Sequence, residues 1–220
     1  MTPLALSALT DVILACEIFF LTGLSVRSDT APWSAAWWWS VTLGLTGLST
    51  MLGAIDHGFF EGVVPDAHAV AMFATRAVVA VASFTMLVST ARHFLDGGWC
   101  RIVTALGAAG LAVTLWQLWG ADNFLIVVAA YSAVLVLTLC FHLVGLRNGS
   151  GSLWMCAAIL LILGASVMVV LESEGLPGLG LFATYHILLM PAVAGLYLGG
   201  RHLSRTTRAA GMVPAQPAMT

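Results

Sequence analysis

"FLIVVAAYSAVLVLTLCFHLVGLRNGS", residues 124–150, decides what kind of protein this is. From Phe124 to Leu146 the chain passes no acid, arginine or lysine, and then Arg147 opens a turn of asparagine, glycine and serine. About 20 apolar residues in an α-helix, rising 1.5 Å each, cover the hydrocarbon core of a bilayer. The stretch reads as one membrane crossing. The whole chain agrees: of 220 residues 60% are hydrophobic and 8% charged, where a soluble domain carries charge on about a quarter.

Outward from this span, six more apolar stretches of similar length occupy roughly 5–25, 36–57, 68–91, 102–119, 153–171 and 180–200. The breaks between them carry charge or turn chemistry: "RSDTAP", "EGVVPD", "HFLDGGWCR", "GADN" and "ESEGLPG". The pattern predicts an all-α polytopic membrane protein, seven transmembrane helices in one bundle over 1–202. The tail, 203–220, is polar and proline-containing and is expected to be a disordered cytoplasmic segment. No soluble domain is expected.

The arginines orient the bundle. The first stretch has no basic residue before its apolar run, and Arg27 follows it, so it reads as a retained helix rather than a signal peptide. Arg27 falls in the first loop, Arg92 and Arg101 in the third, Arg147 in the fifth, and Arg201, Arg205 and Arg208 after the last span. The even loops hold Glu61, Asp66, Asp122, Glu172 and Glu174 and no arginine. By the positive-inside rule the N-terminus lies outside a cell membrane and the C-terminus in the cytoplasm. The tryptophans of "WSAAWWWS", at the inner start of the second span, suit an interfacial belt.

Several functions drop out. All eight basic residues are arginine, so Schiff-base chemistry and a phosphate loop lack their lysine. A net charge of −2 without a basic patch gives no nucleic-acid partner. Cys16, Cys100, Cys140 and Cys156 form no CxxC pair and read as apolar helix fillers.

What remains is a set of ionisable residues in the outer half. An ionisable group near the bilayer centre costs about 2.5–3.5 kcal/mol on insertion scales, so it tends to be paired and functional. Glu17, Arg76 and His186 stand deepest, with Asp11 next, and Arg76 is expected to pair with Glu17 or Asp11 across the first and third helices. "GAIDHGFFEG", 53–62, adds Asp56, His57 and Glu61. Adjacent Asp56 and His57 are about 100° apart on a helix; His57, on the face of Gly53 and Glu61, is expected to face the site, with Asp56 orienting it or facing a neighbour. Pro191 kinks the last helix just inside His186. Asp66, Asp122, Glu172 and Glu174 read as solvated loop charges or caps. His93, His142 and His202 are placed at the inner boundary, within reach of water.

Histidines and acids at one depth can hold a divalent metal. Catalytic zinc takes three ligands from His, Asp and Glu plus a water. His57 and His186 are the candidate metal ligands, and Glu17, Asp56 and Arg76 the candidate catalytic groups. The arrangement resembles the superfamily of alkaline ceramidases and adiponectin receptors, seven-helix membrane hydrolases with a zinc-binding histidine on helix two, an aspartate at the start of helix three and an HxxxH pair on helix seven. The resemblance implies His57, Asp66 and His186 in those roles, zinc as cofactor, and a membrane lipid or lipid-like small molecule as partner. The chain departs from that pattern at Gly53, where the family has a serine, and at Met190 and Phe182, either of which would be the second helix-seven histidine. Other classes stay open: a proton-coupled transporter or channel using Glu17, Arg76 and His186, a metal-free isomerase or cyclase of a lipid or isoprenoid with a buried acid as proton donor, a haem protein with His57 and His186 as axial ligands, and a structural subunit. No internal repeat of transporter type is visible.

Overall fold

A computed structural model describes residues 2–120 and 123–205. Asp122, Arg208 and the rest of the tail from 206 lie outside the described residues. Seven α-helices follow one another: α1 Pro3–Ser25, α2 Ala35–Ile55, α3 Pro65–Phe94, α4 Gly97–Gly120, α5 Phe124–Leu146, α6 Leu153–Val170 and α7 Leu181–Gly200. A π-helical turn, Asp56–Phe60, extends α2. Among the described residues there is no β-strand beyond one isolated bridge, Leu176 to Gly180. The helices start where capping chemistry places them: Thr2, Ser34, Asn123 and Ser152 each accept a backbone N–H of the first turn.

Six of the helices, all but α2, are long and apolar enough to cross a membrane. The chain is an integral membrane protein of several passes. α2 is diluted by Ser40, Thr42, Thr46, Ser49 and Thr50. Each of these hydroxyls donates to a carbonyl three or four residues back, which removes most of the cost of placing it in an apolar setting.

Neighbouring helices close a ring in the order α1, α2, α3, α5, α6, α7 and back to α1, while α4 packs outside it on α3 and α5. α4 accordingly buries only Thr114 and Leu118. The ring is filled by Trp39 and Leu43 of α2, Met86 of α3, Leu135 of α5, Met155, Ile159 and Ile162 of α6 and Leu196 of α7. Leu14 and Ile18 of α1 and Val193 of α7 form a second cluster beside it. Hydroxyl pairs cross the interior, Thr42 with Thr85 at 2.9 Å and Thr90 with Thr138 at 3.2 Å. Such bonds average about 0.6 kcal/mol between membrane helices, so packing dominates.

At the end carrying the arginines, the chain leaving α7 folds back over the α1–α2 loop: Ala31 and Ala36 donate to the carbonyls of Arg205 and Ser204. His93 joins that segment to the α5–α6 loop through Ser204 Oγ (3.0 Å) and the Ser150 carbonyl (2.9 Å). His142, expected within reach of water, is instead 1% exposed and accepts the Ser152 N–H at 3.2 Å.

Candidate functional site

The opposite end gathers polar groups from α1, the π-turn, α3 and α7. Asp11, in the third turn of α1, is 4% exposed and stands between two imidazoles. Its Oδ1 is 3.1 Å from His186 Nε2 and its Oδ2 3.9 Å from His57 Nε2. The other nitrogen of each ring also meets an oxygen. His186 Nδ1 lies 3.0 Å from Thr10 Oγ1, and His57 Nδ1 bonds Glu61 Oε2. Thr10 and Asp11 therefore hold the edges of one ring from one turn of α1.

The π-turn explains how adjacent Asp56 and His57 serve different neighbours. Glu61 N–H donates to Asp56 C=O at 2.9 Å, an i→i+5 bond that widens the turn, and such turns recur at functional sites. Asp56, with no exposed surface, faces α3, where His68 Nδ1 lies 2.8 and 2.9 Å from its two carboxylate oxygens. His57 faces α1 and also lies under Phe182 of α7, ring centres 5.8 Å apart. Gly53, one turn earlier, faces the same carboxylate: a Cβ there would touch Asp11 Oδ2 at 3.4 Å, an ordinary contact distance.

His57 and His186 thus meet at one carboxylate, and Asp56 faces a neighbouring helix. The remaining two candidates stand apart. Glu17, further along α1, is partly buried and makes no hydrogen bond or ion pair among the described residues. Arg76 does not meet Asp11, whose oxygens face the histidines; its guanidinium carbon is 6.0 Å from the Phe124 ring centre on α5. The physical reason is the ring order, in which α2 separates α1 from α3. Asp66 is exposed in the first turn of α3, and His68, not Asp66, carries the α3 contact to the π-turn.

Asp56, His57 and Glu61 bring ligand atoms within 4.8 Å of one another, a group able to hold a metal ion. His57 belongs both to this group and to the Asp11–His186 arrangement. Sequence reasoning underweighted Asp11 and passed over His68 and Thr10. The available signal was the pair Thr10–Asp11 inside an otherwise apolar helix. For His68 there was only its position one turn after Pro65.

Residues 6–205 match the profile of a family described as a family of unknown function, DUF6962. No curated protein and no solved structure matches the chain.

Proposed function

The chain belongs to that family of unknown function, so its chemistry must be argued from the site, and we propose that it is a seven-span, metal-dependent membrane hydrolase of a lipid-like ester or amide. One observation carries the reading. Two imidazole Nε2 atoms from different helices converge on one buried carboxylate, and each ring's far nitrogen is held by an oxygen. That is the outer-shell pattern that fixes the tautomer and direction of metal-binding histidines. Two histidines and a carboxylate, with a position left open, is also a donor set used by catalytic zinc.

In this reading His57, His186 and Asp11 would hold the ion. Bound there, zinc supplies a Lewis acid for the substrate carbonyl. The chain's own groups do the rest. Glu61, whose side chain is 32% exposed, orients His57 and accepts a proton from water at the mouth of the site. Asp56 and His68 lock the π-turn, and Phe182 covers one face of His57. Glu17 and Arg76 stay outside this mechanism. The resemblance to ceramidases and adiponectin receptors agrees with the helix-two and helix-seven histidines. Here a helix-one aspartate would take the place of the second helix-seven histidine.

A second reading has one observation in its favour. Glu61, His57, Asp11 and His186 form a chain of proton-carrying groups leading into the bundle, as a proton-coupled transporter requires. Against it, the next turns inward are filled by Leu14, Ile18 and Val193.

Elemental analysis of the detergent-purified protein separates the two. The hydrolase reading expects about one zinc per chain, lost in Asp11→Asn, His57→Ala and His186→Ala, together with release of fatty acid or amine from a lipid panel. A folded wild-type protein that holds no metal after purification in zinc-containing buffer would sink it. Proton uptake into liposomes by that metal-free protein would favour the relay.

A further inference from the structure

The arginine end of the bundle contains a cleft that the site above does not use. It is a shallow groove between the end of α1, the start of α2 and the end of α7, and its volume of about 360 Å³ includes the open solvent at its mouth. Arg27 reaches it from the α1–α2 loop and Arg201 and Arg205 from the segment leaving α7, and Ser25, Thr30, Trp39 and Tyr197 complete its polar and aromatic lining. We propose that this cleft binds the phosphate of an anionic phospholipid headgroup.

Charge is the first argument. Among the described residues no acid is part of the lining; beside it Asp29 accepts from Arg27 Nε at 3.2 Å and Arg205 Nη1 at 2.9 Å. Desolvation raises the Asp29 carboxyl, but the two guanidiniums outweigh it and hold the group below its usual range. Three guanidiniums against one carboxylate leave an excess of two positive charges. A fork of planar guanidiniums matches a phosphate better than a point charge does. The second argument is an unmet donor. Thr30 is one of the lining residues, and its Oγ1, buried just beneath the surface, has no hydrogen-bond partner among the described residues. A buried hydroxyl left so is destabilising, and a phosphate oxygen within its reach would satisfy it.

Position selects a lipid over a free anion. Trp33, Trp37 and Trp38 stand at the same end with ring centres 4.8–5.7 Å apart, where an aromatic belt marks headgroup level. Leu24 forms one lip of the cleft, and Phe20, one turn further into α1, is exposed with it. These two side chains continue from the cleft along the outside of the bundle, where an acyl chain would lie. Basic pockets between membrane helices take anionic headgroups for the same reason.

The test is thermal unfolding of the full chain in neutral detergent, titrated with short-chain phosphatidylglycerol or with inorganic phosphate. Phosphatidylglycerol is expected to raise the midpoint of the wild type and of Arg101→Gln, whose arginine lies at the same end outside the cleft. In the double variant Arg27→Gln/Arg201→Gln the apparent affinity should fall by about thirtyfold, from two charges near a membrane surface. Thr30→Val should weaken binding without loss of charge. If the double variant does not fold, Thr30→Val and Arg201→Gln alone carry the comparison. Equal responses in wild type and variants, or no response in the wild type, would overturn the proposal. An equal shift from inorganic phosphate at the same concentration would assign the cleft to free phosphate and overturn the lipid.

Discussion

Among the described residues Asp56 and Asp11 are the acids with almost no contact with water, and each depends on an imidazole for its place. Removing one partner of a buried polar pair leaves the other unsatisfied, which costs more than the bond itself contributed. His68→Ala strands Asp56, which has no exposed surface, so it should lower stability by about 2–3 kcal/mol. Asp66→Ala, two residues away in the same turn but exposed, should change it by no more than about 0.5 kcal/mol. Reversible unfolding of the two variants in one detergent checks the contrast. Equal losses would show that the Asp56–His68 contact does not hold the π-turn. Asp11→Asn should separate shape from charge: an amide keeps the volume between His57 and His186 but presents one acceptor instead of two. Metal content and midpoint should fall together in it.

At the scale of elements, close helix packing rests on glycines whose neighbours differ in stiffness. A Cβ on Gly107 of α4 would come within 2.6 Å of Leu87 Cδ2, the free end of a flexible side chain. A Cβ on Gly200 of α7 would come within 2.3 and 2.4 Å of the Trp39 ring, a rigid group that is 2% exposed and donates to the Leu196 carbonyl. Gly107→Ala should therefore be nearly neutral, because leucine can turn and alanine favours helix by about 1 kcal/mol. Gly200→Ala should destabilise by about 1–3 kcal/mol through overpacking. Melting curves of the pair decide it, and the reverse order would mean that α2 and α7 are not packed as described. Elements were also where the sequence was most legible. Six spans announced themselves because lipid exposure demands an unbroken apolar run. α2 did so less clearly, since hydroxyls bonded to their own helix relax that demand. Directions of side chains were harder to read. A 100° step applies to α geometry, and the π-turn replaces it between Asp56 and His57. The meeting of Asp11 with His186 depends on α1 closing the ring against α7, and the misplaced partner of Arg76 on α2 standing between α1 and α3. Neither follows from local pattern; both are consequences of ring order.

The whole molecule has two chemically different ends. At one, backbone and side-chain bonds join the α1–α2 loop, the end of α3, the α5–α6 loop and the segment after α7: Ala31 with Arg205, His93 with both Ser204 and Ser150. Arg27, Arg92, Arg101, Arg147, Arg201 and Arg205 all lie in or beside these segments. At the other end lie the π-turn and the α6–α7 connection, with Glu61, Asp66, Glu172 and Glu174 and no arginine. A connected set of loops on one face can form only if the helices between them run alternately up and down. Charge bias then predicts which face enters the cytoplasm, because arginine near a span resists translocation while acids contribute little. The arginine end should be cytoplasmic, and the histidine–carboxylate site should open to the outside. With Cys16, Cys100, Cys140 and Cys156 replaced by alanine, single cysteines at Val63 and Leu176, both exposed, should react in intact cells with a reagent that cannot cross the membrane. Cysteines at Asn148 and Ser204 should react only after permeabilisation. Labelling of 63 and 148 from the same side would contradict the bundle itself. The full pattern reversed would keep the bundle and overturn its orientation, placing the site, and any substrate it takes, on the cytoplasmic face.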